Sequence, residues 1–534
     1  MSENNPLQIH KELTQTLERY ISTTLPIARR YPELKKKFRD YLSENKLVNG
    51  PYLETLPDFE KGKTLFDLLK GNGGFVHDGL ENLPEEILDR NLHLHQEEAL
   101  TAACRDNNSL VVATGTGSGK TETFLYPIAN RLLNDPEPKA PGIRCLLIYP
   151  MNALANDQLY YRIAPLFGCD LSDAGITFGR YTSQTPNDPS RADEEARLKE
   201  NDKLLAALGQ SEIPSNWLLT RPEMLKNPPK ILVTNYAMLE HLLLLPRNAP
   251  LFSNSQLQCI VLDEIHTYSG AQATEVAFLL RKLKSLLGVT EKLQVFGTSA
   301  SFPQGGNNDE KIIDFASKLF GETVDKVIRG KRELHQILKR ECTEFSLSIK
   351  IWSKLGKALK DLKSTEELDD YIWNEILETN DLTDKIPALD TSLKFQAALE
   401  QVFAENIEIR KTANILEAKT IQAFTEVANN VFHGYENTEN IDLSEALSVV
   451  VHVGILAKRN SNSFPLLPAR YHMAANGVEG VCVLPSNSKE GWSDIKLLRN
   501  YQNNDDGGIY YPLMVCRKCG QPYLEGFESN NSLF

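Results

Sequence analysis

Lys120 and Thr121 close a glycine-rich run, V-V-A-T-G-T-G-S-G-K-T, from Val111 to Thr121. Its residue types suit one task, holding phosphate. Gly115, Gly117 and Gly119 can take backbone angles that let N–H groups approach an anion closely, and Thr114, Thr116 and Ser118 complete the turn. A helix beginning at Lys120-Thr121 would add the positive end of its dipole at the same place. Lys120 then serves as a point charge for terminal phosphates, and the Thr121 hydroxyl as a ligand for Mg²⁺. The general pattern G-x-x-x-x-G-K-[ST] places glycine where this chain has Thr114.

A second group lies far downstream. C-I-V-L-D-E-I-H, Cys259–His266, is an apolar run ending in adjacent carboxylates. Downstream of a phosphate loop, Asp263 would hold Mg²⁺ through its water shell, and Glu264 would orient an attacking water as general base.

These residues need a scaffold that brings them together. Between Asn91 and Pro303, short apolar runs recur at 109–114, 144–150, 230–235, 258–263 and 293–299, with helix-like periodicity between them, as at 121–133 and 271–287. Runs with little alternation suit strands buried on both faces. Alternation with helices implies a doubly wound α/β domain whose ligands sit at the carboxyl ends of its parallel strands. We therefore expect an N-terminal helical region over 1–90, a doubly wound α/β domain carrying the phosphate loop over 91–305, a helical insertion over 306–443 and an accessory region over 444–534. In the N-terminal region, Arg29, Arg30, Lys35, Lys36, Lys37 and Arg39 form either a solvated helix face or a phosphate-contacting patch.

Composition bounds the class. With 41% hydrophobic and 24% charged residues, the chain of 534 residues is globular, with room for several domains. A net charge of −13 argues against diffuse coating by nucleic acid, so any such contact must be local. The polar N-terminus, the lack of a long apolar stretch and eight scattered cysteines predict a cytoplasmic protein with reduced thiols and no membrane partner.

The phosphate loop and the D-E-I-H box resemble motifs I and II of superfamily 2 DEAD/DEAH-box helicases, in which Thr at position 114 is a common relaxation. Further motifs follow in the family's order. Gln96, in L-H-Q-E-E-A-L, resembles the glutamine that reads adenine. Tyr149–Gln158, Y-P-M-N-A-L-A-N-D-Q, and Ile231–Glu240, I-L-V-T-N-Y-A-M-L-E, resemble segments that touch the nucleic-acid backbone. That resemblance implies DNA (or RNA) contacts at Asn152, Ala153, Gln158, Thr234 and Asn235. Gly297–Ser301, G-T-S-A-S, resembles the motif coupling nucleotide state to strand binding, which implies that role for Thr298 and Ser299 with His266. The combination is similar to large bacterial Lhr-like and MrfA-like helicases, including those of defence islands. It implies a P-loop RecA-like fold, ATP and Mg²⁺ as ligands, and a nucleic-acid helicase or translocase.

Such a motor uses two RecA-like domains. No second strand–helix series and no Q-x-x-G-R-x-x-R-like segment follows Pro303. We therefore expect this chain to hold the ATP-binding half and to hydrolyse ATP poorly alone. A second RecA-like half, or other defence or repair subunits, would be partners. The alternative is a split-helicase subunit that binds ATP and nucleic acid without productive unwinding. Cys516-x-x-Cys519-Gly520 is half of a Zn²⁺ site, with Cys482 and His472 as candidate partners or with its partners beyond Phe534, or else it is a redox pair. Together with P-L-L-P-A-R-Y-H, Pro465–His472, it resembles a partial zinc ribbon.

Overall fold

The structure is a computed structural model. It describes the chain apart from residues 1–4, 45–46, 71–74, 116, 138, 188–189, 301–307, 334–335, 340–344, 363, 378–388, 391, 419–420, 461–462, 476–479, 487–490, 498–501, 504–507, 526–527, 530–531 and 534. Thr116 and Ser301 thus lie outside the described residues. The chain forms two compact units, one of residues 59–332 and one of residues 1–58 with 333–534.

The first unit is built on eight strands: β1 (Leu110–Ala113), β2 (Cys145–Tyr149), β3 (Phe178–Arg180), β4 (Trp217–Leu218), β5 (Ile231–Asn235), β6 (Cys259–Leu262), β7 (Gln294–Ser299) and β8 (Lys326–Arg329). Their order across the sheet is β8-β1-β7-β6-β2-β5-β3-β4, and every pairing is parallel. β2, β6 and β7 are buried along their whole length, as apolar runs without alternation require. Two apolar cores line the faces, one containing Leu110, Leu147 and Val261, the other Val111, Leu146 and Ile260. Successive residues point to opposite cores, which is the period-two rule of a strand.

Helices α1 (Leu94–Cys104), α2 (Glu122–Leu133), α3 (Asn152–Gln158), α4 (Arg221–Lys226), α5 (Tyr236–Leu244), α6 (Gly270–Leu286) and α7 (Asn308–Phe320) pack on these faces. The sheet unit continues beyond the expected edge at 305, through α7 and β8. β8 is four residues long and begins and ends on Lys326 and Arg329, so it lacks the apolar signature of a central strand; it pairs with β1 at the sheet edge.

Opposite the carboxyl edge, a buried triad ties strand starts together. Asp135 accepts from Arg144 Nε at 3.1 Å and from Lys230 Nζ, and all three side chains are inaccessible to solvent. Burial works against ionisation of Asp135, but the Lys230 hydrogen bond and charge outweigh it and hold the carboxyl below its ordinary value.

The second unit is helical with antiparallel sheets. Its core surrounds the helix Leu443–Leu456, which is apolar on nearly all sides. Gly356 permits close approach of the helix Ile349–Ala358, since a Cβ there would meet Val449 at 2.4 Å. The fully buried Glu408 carboxylate accepts from Ser346 Oγ, Tyr435 Oη, Asn406 Nδ2 and Leu347 N. Val48–Thr55 pairs antiparallel with Ile421–Ala423 on one side and Ala469–Ala475 on the other. Cys482–Pro485, Trp492–Lys496 and Ile509–Val515 form a second antiparallel sheet. No helix among the described residues is long and apolar enough to cross a membrane.

Candidate nucleotide and nucleic-acid site

Every strand of the sheet core ends on a residue singled out above or on the turn that carries one. β1 feeds the loop Thr114–Thr121, β6 delivers Asp263 and Glu264, and β7 ends in Thr298 and Ser299. Because the strands are parallel and in register, with Ser299 beside Ala113 and Gly297 beside Leu262, these ends converge at one edge.

The loop is braced from within and from α1. Thr114 Oγ1 and Ser118 Oγ lie 2.5 Å apart. Gln96 is buried; its Oε1 accepts from His93 N at 2.8 Å, capping α1, and its Nε2 donates to Gly119 O at 3.1 Å and Glu122 Oε2 at 3.3 Å. Gly119 has φ +69°, and a Cβ there would sit 2.3 Å from Gln96 Nε2, so only glycine allows this approach. His95 Nε2 lies 2.8 Å from Ser118 O. A carbonyl oxygen only accepts, so Nε2 carries the hydrogen. Burial pushes the His95 imidazole down to about 4, against the opposing effect of the Ser118 carbonyl. His95 stacks on His93 at 5.4 Å, and Phe59 meets both edge-on. Phe59 lies 34 and 36 residues from the two histidines, so no local sequence pattern marks this aromatic wall.

The acidic box faces the loop. Lys120 Nζ pairs with Glu264 Oε1 at 3.0 Å. Asp263 is buried and accepts from Thr298 Oγ1; that same hydroxyl accepts from Glu264 N at 3.1 Å. Burial raises the Asp263 carboxyl, the Thr298 hydrogen bond opposes it, and the Glu264 charge adds to the rise. Glu264 Oε2 accepts from Ala300 N at 3.2 Å and lies 3.2 Å from His266 Nδ1, which is 3.1 Å from Ser299 Oγ. Glu264 itself has φ +49°, a left-handed backbone that a non-glycine residue holds only when its surroundings enforce it, at a cost of about 1–3 kcal/mol.

The donor set fits magnesium nucleotide. Mg²⁺ takes hard oxygen ligands, and the hydroxyl of Thr121 and the carboxylate of Asp263 are of that kind. The loop's outer side at Gly117 is open, since a Cβ there would meet no atom within 4 Å.

The residues expected to touch nucleic acid divide into two groups. Asn235 Nδ2 donates to Asn152 Oδ1 at 2.7 Å, and Asn152 Nδ2 donates to Ser183 Oγ at 3.0 Å. Ala153 is exposed beside them. Thr234, by contrast, is fully buried and donates Oγ1 to Tyr181 O at 2.7 Å, so its side chain positions the neighbouring loop and is not free to meet a strand. Gln158 lies at the phosphate loop, where its Oε1 accepts from Thr121 Oγ1 at 2.9 Å. Ser183 and Gln184, whose Oε1 accepts from Asn156 Nδ2 at 2.8 Å, are further polar partners of α3 that were not among the candidates. The polar run Tyr181–Thr185 directly after β3 was the available signal.

Cys516 and Cys519 sit in a turn whose amides, from Cys519 and Lys518, point at the Cys516 sulphur and hold its thiol below the ordinary value. Among the described residues, no group of three or more His, Cys, Asp or Glu is arranged to hold a metal. His472 Nε2 is 2.8 Å from Glu54 Oε2, and Cys482 is buried within its strand. Two thiols do not make tetrahedral zinc, and of the candidate partners neither Cys482 nor His472 joins them among the described residues.

Residues 93–185 and 192–308 match the DEAD/DEAH box helicase family model. The chain is 27% identical to Druantia protein DruE of Escherichia coli, over 98% of this chain and 33% of that one. It is 28% identical to an uncharacterized ATP-dependent helicase of Methanocaldococcus jannaschii, over 45% of this chain and 30% of that one. A solved structure of the DUF1998 helicase MrfA bound to DNA and AMPPNP shares 18% identity, with a TM-score of 0.36 over 61% of this chain and 42% of that one. This chain spans about a third of the length of these two curated relatives. The residues matched by the family model all lie within the parallel-sheet unit.

Proposed function

We propose that this chain binds ATP with Mg²⁺ at the carboxyl edge of its parallel sheet and acts as the ATP-binding half of a nucleic-acid helicase or translocase. The observation that carries this is the meeting of Lys120 with Glu264 at 3.0 Å across 144 residues of sequence, beside Asp263 and Thr121. Mg²⁺, when bound, would neutralise phosphate charge. Lys120 would leave Glu264 for the terminal phosphates, Thr121 and Asp263 would supply oxygen ligands, and Glu264 would then be free to take a proton from water. Gln96 would set the loop against α1 on the adenine side. His266, Thr298 and Ser299 would report the nucleotide's state to Asn152, Ala153 and Asn235, where DNA or RNA would lie.

Turnover by this chain alone should be slow. An arginine supplied across a cleft is worth roughly 10³–10⁵ in related P-loop enzymes. Among the described residues, the second unit is helical and antiparallel, not a second parallel sheet. That favours a partner RecA-like half, or defence or repair subunits, and keeps alive a second reading, a subunit that binds without useful turnover. Calorimetry with ATP, followed by ATPase assays with and without single-stranded DNA and RNA, tests both. Strand-stimulated hydrolysis supports the motor, binding without stimulation supports the subunit, and absence of ATP uptake overturns both.

A further inference from the structure

We propose that a pocket formed by Tyr181, Asn187, Arg221, His241 and Arg247 holds a backbone phosphate of a bound single strand, next to the Asn152–Asn235 pair. The inference rests on the nucleic-acid reading above and deepens it. The pocket has a volume of about 170 Å³. Arg221 is fixed in its wall: Nη1 donates to Asn187 Oδ1 at 3.1 Å, Nη2 donates to Thr182 O at 3.0 Å, and the guanidinium lies 5.2 Å from the centre of the Tyr181 ring. Its Nε is buried and has no acceptor.

Charge points the same way. The chain carries a net −13, yet among the described residues no carboxylate pairs with Arg221 or Arg247. Arginine's planar fork suits phosphate oxygens, and cations held without counter-charge attract anions. The pocket is also continuous with the neighbouring site through one short loop. Tyr181 lines the pocket and takes the Thr234 hydroxyl on its carbonyl, while Ser183, two residues on, accepts from Asn152. A strand lying along Asn235 and Asn152 would thus pass this pocket.

The test is equilibrium binding of labelled oligothymidylate to the full chain over a salt series. Arg247→Ala and Arg221→Gln should each weaken binding about tenfold. Each should also flatten the slope of log K against log salt by about 0.7 for one lost phosphate contact. Lys292→Ala, a charge change beside Asp325, should alter neither. Arg247 is exposed, so its replacement leaves the fold intact even if Arg221→Gln unsettles the loop. Wild-type binding with unchanged affinity and slope in Arg247→Ala overturns the pocket and leaves the nucleic-acid reading standing. Failure of the wild type to bind any strand overturns that reading, and the pocket with it.

Discussion

Lys120 Nζ and Glu264 Oε1 lie 3.0 Å apart, the ammonium of the phosphate loop held by the carboxylate of the acidic box. The two groups have opposite duties toward a nucleotide, so replacing them should separate binding from turnover. Lys120→Ala should abolish ATP uptake by calorimetry. Glu264→Gln should bind ATP at near wild-type affinity and lower phosphate release about 10²–10⁴-fold. Unchanged hydrolysis in Glu264→Gln would remove Glu264 from the role of base.

Thr298 joins the two carboxylates through one hydroxyl, donating to Asp263 and accepting from Glu264 N. Thr298→Val keeps the shape and removes both bonds. Loss of about 1–3 kcal/mol of buried hydrogen bonding should appear as a tenfold or larger fall in kcat, with ATP affinity changed only a few-fold. A matching loss in affinity and kcat would instead mean a general collapse of the loop.

His95 predicts a pH signature. Its folded value is about 4, against 6.5 in an unfolded chain. Between those values the unfolded state holds the proton and the folded state does not. The stability that His95 provides is therefore complete above pH 6.5 and is lost as pH falls toward 4, by roughly 3 kcal/mol in all. Urea denaturation at pH 7.5 and 4.5 should show a smaller fall in His95→Gln than in wild type. Equal falls would show that the imidazole can be protonated in place.

The triad at the opposite edge makes a prediction about stability without chemistry. Asp135→Asn leaves Arg144 and Lys230 buried without their counter-charge. Breaking a buried pair this way typically costs about 3–5 kcal/mol. Denaturant midpoints should fall accordingly, while ATP binding per folded molecule stays constant.

The central strands were legible because burial on both faces leaves an unbroken apolar run, and β1, β2, β5, β6 and β7 all fall within the stretches read as strands. β3, β4 and β8 were not, being two to four residues long and, for β8, charged at both ends. Lys120, Asp263 and Glu264 were readable from type and order, since few other tasks need a lysine after a glycine turn and paired acids after a strand. The bond between Gln158 and Thr121 was not readable, because sequence spacing gives no direction to a long polar side chain on a helix. The pairing of Val48–Thr55 with Ala469–Ala475 was beyond reach, because local pattern carries no information about partners hundreds of residues away.

Helix α3 has Asn152 at its first residue and Gln158 at its last. Seven residues span about 10 Å, too short to flex. One end is bonded to Thr121 and the other to Asn235 and Ser183. A nucleotide whose metal claimed the Thr121 hydroxyl would take this hydrogen bond from Gln158, while the backbone runs on from Gln158 into a further helix, Leu159–Asp170. On the proposed function, α3 would be the stretch of backbone that joins occupancy of the phosphate loop to the residues around Asn152.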